Sequence, residues 1–153
     1  MKRVILATFL TIAAAVLWGQ SNDLLDRFLE SDEADVATTL MLVAQASGDL
    51  PLDAAPRDGY AWGTEQEFGK YLKDVAFDDP ISLGLFYLAL FKTFDVEGGL
   101  MFNTVGSPRY AAMEAGYLGY VEPSRLYYTR SMEPYEVLTG ITYVTDALEG
   151  GTM

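Results

Sequence analysis

The sequence contains neither cysteine nor histidine among its 153 residues. Without cysteine the chain has no disulfides, no thiolate metal ligands and no lipid-modified N-terminal cysteine. Without histidine it lacks the imidazole on which Ser-His-Asp catalysis, Cys-His catalysis and most zinc sites depend. No acidic run has the spacing of a calcium loop, and no phosphate-binding glycine loop is present. We therefore predict no metal site, no cofactor and no enzymatic activity.

Basic residues are also scarce, with 10 Lys and Arg against 22 Asp and Glu, and the formal net charge is −12. Nucleic-acid binding needs a basic footprint, so this charge argues against it. The same charge disfavours docking on anionic membrane surfaces. Its simplest interpretation is an acidic surface that keeps the protein soluble.

Long apolar runs are lacking, and the longest one lies near the N-terminus. Lys2 and Arg3 precede an uncharged stretch from Val4 to Leu17. This stretch is too short to span a bilayer comfortably, but it is typical of a secretory signal peptide. We predict a signal peptide over residues 1–20, cleaved before Gln20 or Ser21, with an uncleaved anchor helix as the alternative. The mature protein would lie in the periplasm or cell envelope, with no membrane span.

The most apolar stretch beyond this leader runs from Asp79 to Gly99 and is punctuated like a helix. Asp79 can cap a helix N-terminus, and Pro80 suits the first helical position. Gly98-Gly99 favours a helix end. Because apolar residues cover nearly all sides, we predict that this helix is buried among others.

Similar patterns predict the remaining elements. Residues 49–63, rich in Pro, Asp and Gly, are predicted to form a loop. A helix is predicted at 134–151. A strand is the alternative for this segment, because it is rich in β-branched residues. The fold class is predicted to be all-α, a small bundle of about six helices after the signal peptide, at 21–30, 34–47, 63–77, 79–99, 107–120 and 134–151.

The sequence pattern predicts repeated units. Each unit begins with a helix and a loop. An acidic residue and a proline follow, and then an apolar helix that ends at Gly-Gly. The units cover about 63–99 and 106–151, with Asp79-Pro80 matched to Glu133-Pro134. The first unit, ending at Gly48, is truncated. Single units cannot bury their faces alone, so we predict that they stack into one domain over residues 21–153.

The run from Asp79 to Phe86 resembles the S-layer homology domain, whose repeats continue from an aromatic-bearing helix into Pro-Ile-Thr-Arg-Ala-Glu-Phe. The run from Glu133 to Leu138 resembles a second copy, and the sequence is most similar to divergent secreted spirochaete members. Standard members bind a pyruvylated cell-wall polymer through the Thr-Arg-Ala-Glu segment. Both copies here lack its arginine. The resemblance therefore implies the helical fold but not anchoring to that polymer.

One group of basic and aromatic residues is a candidate binding site. Arginines among tyrosines suit an anionic or sugar ligand, through guanidinium hydrogen bonds and stacking faces. In the alternative interpretation, the arginines pair with carboxylates and the aromatic rings pack the loops. The candidate ligand- or partner-binding residues are Trp62, Arg109, Tyr110, Arg125, Tyr127 and Arg130.

The sequence thus predicts a non-catalytic interaction module of the periplasm or cell envelope. Its partner would be another envelope protein or a cell-wall glycan. Two alternatives remain: a structural subunit of a larger periplasmic assembly, and a small glycan-acting enzyme that uses two carboxylates. No pair among the 22 acidic residues is marked for that chemistry.

Overall fold

The described part of the chain folds into helices joined by turns and loops of different lengths. The computed structural model describes residues 23–150, so the predicted signal peptide lies outside the described residues. Within this range there is no strand, and the prediction of an all-α bundle is confirmed. The α-helices are α1 (23–29), α2 (Val36–Ser47), α3 (Pro56–Glu65), α4 (Leu83–Thr93), α5 (Leu100–Val105), α6 (Pro108–Tyr117) and α7 (Pro134–Gly150), with 3₁₀ helices at Glu67–Leu72 and Pro123–Arg125.

Helix α4 is the centre of the bundle. Every residue from Leu83 to Phe91 is buried, and the helix packs against α2, α6, α7 and the 3₁₀ helix Glu67–Leu72. The Ser82 hydroxyl caps it by accepting a hydrogen bond from the Leu85 N–H at 3.3 Å. Its predicted burial is confirmed. The helix is shorter than predicted, because the chain before Ser82 is extended and the chain after Thr93 forms a turn.

Three extended segments meet just before α2, α4 and α7. The Ala34 N–H donates to the Met132 carbonyl at 2.8 Å, and the Met132 N–H donates to the Ile81 carbonyl at 3.0 Å. The Ile81 N–H closes the ring by donating to the Ala34 carbonyl at 2.8 Å. All three residues are buried, where an unpaired backbone group would be costly. The N-termini of α2, α4 and α7 therefore converge on one hydrogen-bonded ring.

The ring places the starts of α2, α4 and α7 in equivalent positions. Each ring residue lies two positions before the first residue of its helix, so Pro134 corresponds to Leu83. Pro134 is the first residue of α7, whereas Pro80 lies three residues before the first residue of α4, so the predicted place of Pro80 at a helix start is wrong. Proline suits both an extended segment and the first position of a helix, so it does not set the register. The division of residues 21–153 into repeats of one domain stays a prediction.

Residues 49–77 depart most from the sequence-based expectation. The predicted loop contains α3, which begins at Pro56, and the Asp58 carboxylate accepts a hydrogen bond from the Ala55 N–H at 2.8 Å. The predicted helix at 63–77 is instead the end of α3, a 3₁₀ helix and turns. Proline and aspartate are frequent in loops, but here they form a helix start.

Helix α7 is helical throughout, which removes the strand alternative. Thr139, Thr142 and Thr145 each donate a hydroxyl hydrogen bond to the carbonyl four residues earlier, at 2.9, 2.9 and 3.1 Å. These bonds satisfy the threonine side chains within the helix and explain how it tolerates β-branched residues. In residues 23–150, no helix has both the length and the apolar character needed to cross a bilayer.

Candidate functional site

A cleft of about 440 Å³ lies between α4, α7 and the segment 120–132. We call it the α4–α7 cleft. Its volume falls within the range of small-molecule sites, about 300–1,000 Å³. It combines aromatic rings with charged side chains, and its main lining residues are Tyr87, Tyr120, Tyr135, Tyr143, Glu122, Arg125, Arg130 and Glu136.

One face of α7 supplies much of this cleft. Tyr135, Thr139 and Tyr143 follow each other at four-residue intervals, which places them along one side of the helix. The Tyr143 ring stacks on Tyr120, with centroids 5.8 Å apart and planes inclined by 25°. Tyr120 also contacts Phe91 of α4, at 6.3 Å between centroids. The core thus holds the aromatic wall in place.

Arg130 and Glu136 form a two-pronged ion pair on the other wall. The Arg130 Nη1 donates to Glu136 Oε2 at 2.9 Å, and its Nη2 donates to Oε1 at 2.8 Å. The side chains are only 19% and 20% exposed, respectively. Arg130 also donates through Nε to the Arg125 carbonyl at 2.8 Å. This geometry fixes the loop that precedes α7 against the start of the helix.

Arg125 and the backbone complete this network. The Arg125 Nη2 lies 3.1 Å from a carboxylate oxygen of Glu133 and 3.3 Å from one of Glu136. The Glu133 N–H donates to Glu136 Oε2 at 3.0 Å. Burial alone would raise the pKa of Glu136, but its hydrogen bonds from Arg130 and Glu133 and the two arginine charges lower the pKa below its usual value. Glu136 is therefore held as a carboxylate.

Tyr87 lies at the base of the cleft. Its side chain is 2% exposed, yet it lines the cleft, and its hydroxyl has no hydrogen-bond partner in the described part of the chain. Gly140 makes this position possible, since a Cβ there would lie 2.7 Å from Phe86 and 3.3 Å from the Tyr87 hydroxyl. Burial raises the pKa of Tyr87 far above its usual value, and the Glu136 charge raises it further. The hydroxyl thus stays protonated and can donate.

The structure brings together only part of the predicted constellation. Arg125 and Arg130 line the cleft, whereas Trp62, Arg109, Tyr110 and Tyr127 do not. Trp62 belongs to α3, with its ring 5.9 Å from that of Phe68, and Tyr110 packs against the core. Arg109 and Tyr127 are exposed. The binding role of all six residues stays a prediction.

The sequence-based reasoning missed the tyrosines of the cleft. Tyr87 lies within the predicted apolar helix at 79–99. The pattern of that helix does not indicate that the Tyr87 hydroxyl would face a cleft. Tyr135 and Tyr143 share a helix face with Thr139, so the four-residue spacing in α7 could have identified them. Tyr120 comes from a loop, and no local pattern predicts where it packs.

Comparison with known proteins adds no functional assignment. No protein-family model, curated protein or solved structure matches this chain. Among residues 23–150, no three acidic side chains are grouped so that they could hold a metal ion. The chemistry of the α4–α7 cleft is therefore the basis for a functional proposal.

We expect the Arg130–Glu136 pair to stabilise the protein in a pH-dependent way. The pKa of Glu136 is lower in the folded protein than the usual value of 4.5 for a glutamate. Its contribution is therefore fully present above that value and is lost as the pH falls through the folded-state pKa. At neutral pH, Glu136→Gln should lower the free energy of unfolding by about 1–3 kcal/mol. The difference from the wild-type protein should shrink below pH 4.5.

Denaturant unfolding at a series of pH values measures this difference. Glu97→Gln is the matched control, because Glu97 is exposed and has no ion pair in the described part of the chain. Its effect should be small at every pH. A Glu136→Gln deficit that stays constant into acid would contradict the assigned role of the ion pair.

Proposed function

We propose that this protein is a non-catalytic interaction module of the cell envelope that binds another envelope protein or a cell-wall component through the α4–α7 cleft. The observation that best supports this proposal is the Tyr87 hydroxyl, which opens into the cleft from an otherwise buried residue and has no hydrogen-bond partner among residues 23–150. Such a hydroxyl bonds to water when the cleft is empty. A ligand in the cleft could take the place of that water as the acceptor.

The state of Glu136 supports a binding role over a catalytic one. Glycoside hydrolysis requires a carboxylic acid whose pKa is raised so that it can protonate the leaving group. The pKa of Glu136 is instead lowered, and its oxygens are occupied by Arg130, Arg125 and the Glu133 N–H. The second lining acid, Glu122, is exposed. The cleft is thus better suited to holding a ligand than to cleaving one.

The envelope location of this proposal rests on the signal peptide predicted over residues 1–20. The resemblance to S-layer homology domains fits the same location and is part of the proposal. Three helices that begin from one hydrogen-bonded ring are consistent with an architecture of repeated helix-loop-helix units. The two family-like runs take different places relative to their helices, because Pro80 precedes α4 by three residues and Pro134 begins α7.

Retention on envelope material tests the proposed function. The purified protein should be retained by envelope extracts or by isolated peptidoglycan, and Tyr143→Ala should lower the retained fraction several-fold because Tyr143 is a half-exposed ring of the cleft. Tyr117→Ala is the matched control, since Tyr117 is 92% exposed and lies outside the cleft.

Each outcome of this experiment has a definite meaning. Equal losses with Tyr143→Ala and Tyr117→Ala would place the contact outside the cleft. No retention on either material would overturn the proposed function. Release of soluble sugar from peptidoglycan would replace it with the enzymatic alternative.

A further inference from the structure

The charges that line the α4–α7 cleft cancel one another. Arg125 and Arg130 contribute two positive charges, and Glu122 and Glu136 contribute two negative ones, so the lining sums to zero (2 − 2 = 0). Both arginines already contact Glu136, at 3.3 and 2.8 Å. An anionic ligand would have to compete with this carboxylate, which is bound in two-pronged geometry. The cleft therefore offers little attraction to an anion.

The aromatic walls suit a ring-shaped ligand with an apolar face. Tyr143 is 46% exposed although it stacks on Tyr120, and Tyr135 is more exposed still. Tyrosine offers a large rigid contact surface at a low cost in side-chain entropy. The C–H face of a sugar ring packs on such aromatic surfaces, while its hydroxyl groups point sideways.

The polar groups of the cleft include both donors and acceptors. The Tyr87 hydroxyl can donate, and the Glu122 carboxylate, which has no ion pair or hydrogen bond in the described part of the chain, can accept. Sugar hydroxyls do both. Proline-rich peptides also bind aromatic grooves, but proline lacks an N–H and would offer Glu122 no donor. The mixed polar lining therefore favours a sugar over such a peptide.

From this combination we infer that the α4–α7 cleft binds an uncharged sugar ring of an envelope glycan. This inference rests on the proposed binding function and specifies its ligand class. It differs from the anionic polymer bound by the standard S-layer homology proteins that the sequence resembles. Tyr135 and Tyr143 provide the stacking surface, and Tyr87 donates to a ring hydroxyl from below.

Calorimetric titration with soluble oligosaccharides tests this inference. The probes are the uncharged trisaccharides of N-acetylglucosamine, glucose and mannose, with trigalacturonate as the anionic comparison. At least one uncharged probe should bind with a Kd below about 1 mM, and trigalacturonate should bind more weakly. Tyr143→Ala should weaken binding about two- to tenfold through lost stacking. Tyr87→Phe should weaken it to a similar extent, about two- to tenfold, because only the hydroxyl is removed.

Controls separate a lost contact from a lost fold. Tyr87→Phe keeps the buried ring, and thermal unfolding of each variant shows whether it remains folded. Tyr117→Ala, outside the cleft, should leave the affinity unchanged. Tighter binding of trigalacturonate, or affinity that does not change with Tyr87→Phe and Tyr143→Ala, would overturn the inference.

The outcomes also separate this inference from the proposed function. If no uncharged probe binds, but an envelope protein is retained and lost with Tyr143→Ala, the cleft binds a protein surface. The sugar assignment is then wrong and the interaction module stands. If neither sugars nor envelope material bind, both proposals are wrong.

Discussion

Replacing Phe86 with alanine is expected to lower the free energy of unfolding by about 3–5 kcal/mol, the usual cost of removing a large buried aromatic side chain. Phe86 is fully buried in α4. Its ring makes an edge contact with Tyr87 at 4.9 Å between centroids and fills the space that Gly140 of α7 leaves open. Neighbouring helices hold α4 on several sides, so the cavity can close only in part.

Equilibrium denaturation of the wild-type protein and Phe86→Ala measures this loss. Phe77→Ala is the matched control, because Phe77 is 43% exposed and its main ring contact is with Tyr60 at 6.0 Å. Its loss should be about 1 kcal/mol, the scale of one aromatic pair. If the two variants lost equal stability, α4 would not be the centre of the core.

The burial of α4 could be predicted from the sequence because its pattern has few structural solutions. A segment that is apolar on nearly all sides is stable in water only when other elements surround it. The start of α6 at Pro108 could also be predicted from the sequence, since a serine followed by proline is a common helix start. Both predictions depend on local chemistry that the fold does not override.

The predictions that were wrong concern segments whose structure depends on contacts distant in sequence. Pro80 lies in an extended segment because the backbone of Ile81 bonds to Ala34 and Met132, which precede α2 and α7. Residues 67–72 form a 3₁₀ helix directly after α3, and Gly69 packs closely against the carbonyl of Thr64. Local sequence therefore cannot show that residue 63, where a new helix is predicted to begin, still belongs to α3.

In the candidate site, too, the residues marked by local sequence could be predicted, and those brought in by distant contacts could not. Arg125 and Arg130 were identified because arginine among tyrosines is uncommon in so acidic a chain. Their principal partner, Glu136, lies six residues beyond Arg130 in the next helix, and Tyr87 comes from α4. Neighbours in sequence such as Tyr127 and Arg130 need not face the same space, so clustering along the chain locates a region and not a site.

Gly59→Ala is expected to destabilise the protein by at least about 2 kcal/mol, although alanine favours helices over glycine by about 1 kcal/mol. Gly59 lies in α3, where an added Cβ would come within 2.3 Å of the Met41 backbone nitrogen and 2.5 Å of its Cα. These atoms belong to α2, which packs against both α3 and α4. They cannot move aside as a flexible side chain would, so the two helices must separate along their contact.

Gly150→Ala provides the matched control, since it is the same substitution at a helical glycine where, beyond its own helix, no atom of residues 23–150 lies within 4 Å of the added Cβ. It should be neutral or stabilise the protein by up to about 1 kcal/mol. Opposite signs for the two variants in denaturant unfolding would show that close approach of α2 and α3 sets the cost. A neutral Gly59→Ala would mean that these helices can separate freely, and the close crossing would then contribute little to the bundle.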